Sequence, residues 1–177
     1  AELKILNSVG DLLDPTQKAE ANKAEANKVT QKIEKLNRNI TKNDENEILE
    51  SRNAYNSLND EAKSLVKNLD ILERAERKSK VINLIDKIGR DDNKNDTVEN
   101  RVNKYIEDVK KAKEAYDTLS EEEKNTISPL DREFLNGALV TVEQLNTEAR
   151  DKAIAEKLVE RISKLKSKDI RRAKGRK

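Results

Sequence analysis

The chain contains one motif twice, and this internal repeat limits its possible folds more than any other feature of the sequence. Residues 54–70 read AYNSLNDEAKSLVKNLD and residues 115–131 read AYDTLSEEEKNTISPLD, an offset of 61 residues. Repeat proteins typically form scaffolds, spacers and binding surfaces, because each unit packs on its neighbours. The identical positions are Ala54/Ala115, Tyr55/Tyr116, Leu58/Leu119, Glu61/Glu122, Lys63/Lys124, Leu69/Leu130 and Asp70/Asp131.

The repeat extends beyond this motif at a second offset. Val29, Ile33 and Leu36 match Val81, Ile85 and Ile88 at an offset of 52, so nine residues are added before the motif recurs. We expect these nine residues to lengthen the helix after Thr97 by about two and a half turns. Leu158, Val159, Ile162 and Leu165 repeat the pattern of Val81, Ile82, Ile85 and Ile88, which indicates the start of a third, truncated unit.

The composition favours an all-α fold with a narrow core. Leu, Ile, Val and Ala recur at helical spacing, while 41% of the residues are charged and 2% are aromatic. Four glycines and two prolines leave few turn residues for a sheet protein. The chain has neither cysteine nor histidine, which excludes disulfides, thiolate zinc sites and histidine catalysis. We therefore predict a non-catalytic protein with no catalytic residue, no metal ligand and no cofactor.

Capping residues and apolar periodicity predict a series of helices. Asp14 followed by Pro15, and Ser120 with Glu123 three residues later, are typical helix starts. Gly89 is a helix stop. The expected helices cover a short opening segment at 3–13, then 15–36, a helix from 43–44 through Tyr55, a short turn from Asn59, 69–88, 97–119, a turn after Ser120, and 129–168.

Two of these helices are expected to be shared between neighbouring bundles. Leu72 and Val81 belong to two apolar stripes nine residues apart, which places the stripes half a turn from each other. The last helix has the same arrangement between Leu145 and Ile154. The alternative is a kink or short break near Lys78 and near Arg150. The stripes are Leu65, Leu69 and Leu72; Val81, Leu84, Ile85 and Ile88; Leu130, Phe134, Ala138, Val142, Leu145 and Ala149; and Ile154, Leu158, Ile162 and Leu165.

The motif residues are expected to build the core. Tyr55 and Tyr116 should pack at the centre of each bundle, with their hydroxyls at a polar edge. The tandem KAEAN segment at 18–27 has strong helix formers but little to bury. The other positions expected to be buried are Leu58, Leu119, Leu69, Leu130 and the single phenylalanine, Phe134, together with Val98, Val102, Ile106 and Val109 on one helix face.

The C-terminal segment is strongly basic. Nine basic residues against Asp169 give residues 161–177 a net charge of +8, whereas residues 1–160 carry −6. Such a segment suits anionic wall polymers, nucleic acid or acidic lipid head groups, and its lack of aromatic residues disfavours nucleic acid. A solvated tail without a ligand is the alternative. The candidate contacts are Arg161, Lys164, Lys166, Lys168, Arg171, Arg172, Lys174, Arg176 and Lys177.

Two further segments of the sequence are compared with known patterns, one with a calcium-binding loop and one with a membrane-spanning helix. The loop 91–96 has the acidic character of a calcium loop, but Asp96 replaces the required glycine and Val102 the required glutamate. The longest uncharged run, 134–142, is too short to cross a bilayer, and no signal peptide is visible. Because the sequence begins at Ala1, we expect a mature or excised chain.

The motif AY-x-x-L-x-x-x-x-K-x-x-[VI]-x-x-L, followed by a long charged helix, resembles helical repeats of Gram-positive exported proteins of the surface-layer and cell-wall-associated kind. The second copy departs at the junction, where Ser128-Pro129 stands in place of Lys67-Asn68. The resemblance implies an extracellular, cell-surface spacer, assembly or adhesion module with wall polymers or other surface proteins as partners. The alternatives are a basic-tailed nucleic-acid-binding or intracellular scaffolding protein, and a helical oligomer built through coiled-coil seams.

The predicted organisation is an elongated all-α array of three-helix-bundle-like repeats that share long connecting helices. Its parts are an N-terminal helical segment at 1–28, a first repeat at 29–89, a second repeat at 81–157 that overlaps the first through the shared helix, and a truncated third start with the basic tail at 158–177.

Overall fold

A computed structural model describes residues 14–90 and 96–174, with side chains described as far as residue 160. These residues form seven α-helices and one 3-10 turn and contain no strand, which confirms the all-α prediction. The expected opening helix at 3–13 lies outside the described residues. The helices are α1 (Pro15–Glu34), the 3-10 turn (Lys42–Asp44), α2 (Glu45–Asn56), α3 (Asp60–Leu65), α4 (Leu69–Lys87), α5 (Val98–Asp117), α6 (Glu121–Thr126) and α7 (Pro129–Lys174).

Local capping sets where these helices begin. The Asp14 carboxylate accepts hydrogen bonds from the N–H groups of Thr16 and Gln17, at 2.8 and 3.0 Å. Asn59 and Ser120 cap α3 and α6 in the same way. Each cap satisfies amide donors that have no partner inside the first helical turn. The predicted starts at these three positions are therefore confirmed.

The end of α4 and the continuity of α4 and α7 follow the sequence, whereas α7 is longer than predicted. Gly89, just beyond α4, has a φ of 75°, a conformation that glycine adopts without the cost of a side chain. No break interrupts α4 at Lys78 or α7 at Arg150, so the break predicted as an alternative is wrong at both positions. The last helix ends at Lys174, later than the predicted residue 168.

The chain divides into two units, Ala1–Arg132 and Glu133–Lys177. In the first unit, α1 contacts α2, α3 and α4, and α2 also contacts α4. Helix α5 packs on α4 as well. The predicted apolar face of α1 is buried in full, including Val29 and Ile33, and it continues past the helix end to Leu36 and Ile40. Helix α4 therefore takes part in the packing of α1 and α2 and in that of α5.

Residues related by the two sequence offsets share their burial. At the offset of 52, Val29/Val81, Ile33/Ile85 and Leu36/Ile88 are all buried. At the offset of 61, the pairs buried at both positions are Ile48/Val109, Ser51/Ala112, Leu58/Leu119, Ala62/Glu123 and Val66/Ile127. Residues related by the two offsets are thus buried at both positions of these pairs, as far as Ile127.

The additional residues of the second copy lengthen one helix, as predicted. Helix α2 has 12 residues and α5 has 20, although both end at the same place in the motif. The 3-10 turn Lys42–Asp44 precedes α2, whereas α5 begins directly after its cap residue Thr97. The longer helix is buried at Val109, Ala112 and Ala115 and only partly at Val102 and Ile106.

Several expected core positions are exposed instead. Val98 is the first residue of α5 and is 68% exposed, and Leu65 at the end of α3 is also exposed. Leu130 and Phe134 are 77% and 50% exposed, so both predictions of burial are wrong, and Leu69 is only half-buried. The reason in α7 is rotation: Leu130 and Phe134 share one face, and the buried residue is Leu135, about 100° around the helix.

The second unit consists of helix α7 from Glu133 onward. Its buried residues are Leu135 and Ala138, and Leu139, Val142 and Leu145 are half-buried. Beyond Arg150 the described side chains are exposed, including three large apolar ones, Ile154, Leu158 and Val159. The equivalence with α4 therefore shifts, because Leu72 and Ala75 correspond in burial to Leu135 and Ala138 at an offset of 63.

Candidate functional site

The basic segment remains a prediction, because its side chains, Arg161 to Lys177, lie outside the described residues. Its backbone from 161 to 174 continues helix α7. Residues 91–95 of the loop 91–96 also lie outside the described residues. Within the described residues, no group of three or more acidic side chains could hold a metal ion. The polar groups that the structure places are instead those that connect one helix to another.

The buried residue Asn22 connects α1 to two residues of the first motif copy, Asn59 and Glu61. The Asn22 Nδ2 donates to Glu61 Oε2 at 2.8 Å, and Asn22 Oδ1 accepts from Asn59 Nδ2 at 2.8 Å. Asn59 Oδ1 in turn accepts from the Ala62 N–H, which starts α3. Lys18 lies 3.7 Å from Glu61 Oε1. Both ends of the buried amide are thus satisfied, and this removes the penalty for burying it.

This cluster was not expected from the sequence. The tandem KAEAN segment was predicted to bury little, yet Asn22 and Ala26 are both buried. The signal lies in spacing: Asn22, Ala26, Val29 and Ile33 continue a single helical face toward the N-terminus of α1. Apolar periodicity does not mark Asn22 or Ala26 as buried, because neither residue has a large apolar side chain. A surface groove of about 590 Å³ beside the cluster is lined by Pro15, Lys18, Ala19, Asn22, Glu61, Ser64 and Leu65.

The second motif copy has an ion pair where the first has alanine. Glu123 of α6 is buried, and its Oε1 accepts from Arg77 Nη2 at 2.6 Å and Nε at 3.2 Å. Its Oε2 accepts from the Ser120 N–H at 2.8 Å, which completes the predicted capping box. Burial alone acts to raise the pKa of Glu123, but the Ser120 N–H and the Arg77 guanidinium outweigh it, and the pKa is lowered. The carboxylate therefore stays charged while it joins α6 to α4.

Another two-point ion pair joins α2 to α4. Arg52 Nε and Nη2 lie 2.6 Å from Glu76 Oε1 and Oε2. This fork geometry fixes direction as well as distance, so it orients the two helices. Hydrogen bonding to Glu76 raises the pKa of Arg52. The same guanidinium lies 5.6 Å from the centre of the Tyr55 ring.

The two motif tyrosines are half-buried, so neither occupies the centre of a core. Each ring carries a cation: Arg52 lies over Tyr55, and Lys124 Nζ lies 5.7 Å from the centre of the Tyr116 ring. These contacts use the negative face of the ring, which attracts a cation. The predicted packing role is therefore correct in part, because each tyrosine is half-buried and the rest of its side chain is exposed to solvent.

A charged cluster holds the turn before α2. Arg38 Nη2 lies 2.8 Å from Asp44 Oδ1 and 2.6 Å from Glu47 Oε2. Asp44 Oδ2 also accepts from the N–H and hydroxyl of Thr41. The bond from Arg38, followed by those from Thr41, lowers the pKa of Asp44 to about 2. Arg90, which follows Arg38 at the same offset of 52 residues, pairs instead with Asp86 in the last turn of α4.

No protein-family model matches this chain, and neither a curated protein nor a solved structure does. The surface-protein resemblance therefore stays a prediction. Among the described residues, no helix is both long and apolar enough to span a membrane. What the described part of the chain offers is helix faces and the polar contacts that hold them together.

Proposed function

We propose that this chain is a non-catalytic spacer, assembly or adhesion module of a Gram-positive cell-surface protein. In this proposal it is built of three-helix-bundle-like repeats, at 29–89 and 81–157, that share α4. Repeats of this kind supply length and helix faces rather than a reaction centre.

The observation that carries the proposal is the agreement between sequence offset and burial. Val29, Ile33 and Leu36 recur as Val81, Ile85 and Ile88, and all six are buried. After each set, α2 and α5 respectively repeat a second buried pattern at the offset of 61. A chance resemblance of two charged helices would not be expected to preserve which positions are buried in both, since burial depends on neighbouring helices.

The role of α4 supports the sharing of a helix. Leu72, Ala75 and Ser79 are buried along one side of α4, and Val81, nine residues after Leu72, is buried about half a turn away from it. The helix contacts α1 and α2, and it also contacts α5. A helix with two buried faces suits a connection between consecutive repeats.

The cell-surface location rests on the sequence resemblance, and the basic segment 161–177 is the proposed contact with anionic wall polymer. A net charge of +8 in 17 residues attracts any polyanion, so the second candidate function is nucleic-acid binding or intracellular scaffolding. Only the charge asymmetry favours that second candidate.

Sedimentation with purified Gram-positive cell walls tests the proposal. The full chain is compared with a variant that ends at Glu160 and with a full-length variant in which the nine basic residues of 161–177 are glutamine. We expect salt-sensitive pelleting of the full chain alone. Equal pelleting of all three forms would move the contact to the repeats, and pelleting by none would exclude a wall-polymer contact.

Nonspecific duplex DNA in the same salt series separates the two candidates. Both polyanions release counterions on binding, so salt dependence by itself does not distinguish them. Preference for wall polymer over DNA at equal salt supports the surface role. Tighter binding to DNA, lost in the glutamine variant, would favour the second candidate.

A further inference from the structure

One apolar pattern occurs three times in the sequence, and among the described residues it is covered by other helices at its first two copies. The pattern is K-[VL]-x-x-x-I-x-K-[LI], a lysine on each side of an apolar helical stripe. Its copies are Lys28-Val29 to Leu36, Lys80-Val81 to Ile88, and Lys157-Leu158 to Leu165. The spacing of the three apolar positions places them on one face of a helix.

The first two copies are buried by the helices that follow them. Val29, Ile33 and Leu36 are buried, and α1 contacts α2. Val81 and Ile85 are likewise buried, and α4 contacts α5. The lysines that flank both copies stay exposed. In each copy the stripe is buried and its helix contacts the next long helix along the chain; α1 contacts α3 and α4 as well.

The two helices that do the covering share a pattern of their own. Residues 48–58 of α2 and the residues after it read ILESRNAYNSL, and residues 109–119 at the end of α5 read VKKAKEAYDTL. Both have a β-branched residue, then a small residue, then Ala-Tyr, then Leu. The small residues Ser51 and Ala112 are buried, which is how a neighbouring helix backbone comes close.

The third copy lies on α7 and is not covered within the described chain. Leu158 is 50% exposed and Val159 is 67% exposed, and Ile154, one turn earlier, is 51% exposed. The helical backbone continues through Ile162 and Leu165, so these positions extend the same stripe. Exposed large apolar side chains on successive turns of a helix, here Ile154 and Leu158, are typical of an interaction surface.

The relative rotation of the two faces on α7 also resembles that on α4. From Leu72 to Val81 is nine residues, and from Leu135 to Leu158 is 23 residues. The difference of 14 residues is nearly four whole turns, about 40° short at roughly 100° per residue. Helix α7 is thus longer between its two faces, but the added turns keep the second face close to the direction it has on α4.

We propose that the face of α7 that contains Ile154 and Leu158 is a docking surface for an amphipathic helix of the α2 and α5 type. The occupant carries the pattern [IV]-x-x-[SA]-x-x-A-Y-x-x-L and comes from a further repeat of the same kind. The inference rests on the repeats of the proposed function and not on the cell-surface location.

A peptide of residues 97–119 is the probe, because it contains α5 with its cap Thr97 and ends at the motif leucine Leu119. Binding of the labelled peptide to the full chain is measured by fluorescence anisotropy. The α4 face is already covered by the chain's own α5, so an available site is expected on α7. A second peptide carrying Ala112→Glu places a charge at the buried small position and is expected to bind about tenfold more weakly or not at all.

Variants of the chain locate the site. Leu158→Glu is expected to weaken peptide binding by about tenfold or more, since the charge would be buried under the docked helix. Val140→Glu is the matched control, because Val140 is an equally exposed apolar residue of α7 that lies outside the pattern. Far-ultraviolet circular dichroism verifies that both variants keep the helix content of the parent.

Three outcomes would overturn the proposal. Peptide binding that Leu158→Glu leaves unchanged would place the peptide elsewhere, for example by exchange with α5 on α4. If the chain does not bind the peptide at a peptide concentration of about 1 mM, this occupant is excluded. Self-association of the chain that Leu158→Glu abolishes, without peptide binding, would make a second copy the occupant. None of these results depends on wall binding, so failure of the surface role and failure of the docking face are distinguishable.

Discussion

Arg77 of α4 donates two hydrogen bonds to a single carboxylate oxygen of Glu123, a buried residue of α6. The equivalent position in the first motif copy is Ala62, which is also buried. One repeat therefore fills this position with a methyl group and the other with an ion pair. This ion pair joins two helices, because Arg77 belongs to α4 and Glu123 to α6.

Removal of Arg77, whose partner Glu123 is buried, should destabilise the chain more than removal of Arg74, whose partner Asp70 is exposed. Arg77→Ala leaves the buried Glu123 carboxylate with only the hydrogen bond from the Ser120 N–H, and we expect the free energy of unfolding to fall by about 1–3 kcal/mol. Arg74→Ala is the control, since Arg74 pairs with Asp70 at the surface and should cost about 0.5 kcal/mol or less. Urea denaturation measures both, and equal losses would contradict the importance of the buried pair.

The two asparagines of the tandem KAEAN segment provide a matched comparison. Asn22→Ala removes two hydrogen bonds of a buried amide and should lower the free energy of unfolding by about 1–2 kcal/mol. Asn27→Ala, in the second copy and exposed, should be neutral or slightly stabilising, because alanine is the better helix former. Thermal and urea unfolding give the difference, and a larger effect at Asn27 would show that the buried cluster contributes nothing.

Adjacent residues of α7 should respond very differently to truncation. Leu135 is 2% exposed and Phe134 is 50% exposed. Leu135→Ala should therefore cost about 2–5 kcal/mol, whereas Phe134→Ala should cost much less despite the larger side chain. Chemical denaturation of the two variants measures this, and a greater loss for Phe134→Ala would restore its predicted role as a core anchor.

The two described glycines should have opposite effects when replaced by alanine. Gly137 lies within α7 and a methyl group there would meet no atom within 4 Å, so Gly137→Ala should stabilise by about 0.5–1 kcal/mol. Gly89 has a positive φ, so Gly89→Ala should destabilise by about 1 kcal/mol or more. A shift of the midpoint in the same direction for both variants would contradict this assignment.

Acid should weaken the cluster around Asp44. Its pKa is lowered from the ordinary 3.8 to about 2, so the carboxylate stabilises the fold above about pH 4 and loses that effect as the pH falls toward 2. The difference in unfolding free energy between the parent and Asp44→Asn should accordingly be largest above pH 4 and shrink below it. Urea titrations at several pH values measure this. A difference that stays constant from pH 6 to pH 2 would show that the Asp44 charge is not involved.

Much of the local structure is predictable from the sequence. The caps at Asp14, Asn59 and Ser120, the stop at Gly89 and the helical continuity through Lys78 depend on residues within one or two turns of each other. Hydrogen bonds to the first amides of a helix, and the φ that a glycine adopts, do not require a distant partner. Of these features only the cap before the short helix recurs, as Asn59 and Ser120 at the offset of 61.

Burial was predictable only where a repeated apolar pattern marked it. Leu58 and Leu119 were expected in the core and are buried, while Leu130 and Phe134 were expected there and are exposed. The reason is that Ser128-Pro129 starts α7 in a different register from Asn68 and α4, which turns Leu135 rather than Phe134 to the buried side.

The sequence by itself determined the helices, their caps and the recurrence of their apolar stripes, because these depend on neighbours in the chain. The tertiary structure decided which polar groups are buried and which stripe has a partner. Asn22 and Glu123 are buried only because Asn59, Glu61 and Arg77 arrive from other helices to satisfy them. Leu158 stays exposed because, within the described chain, no helix lies over it as α5 lies over α4. A periodic pattern specifies a face, but burial requires a second surface, and only the assembled fold brings the two together.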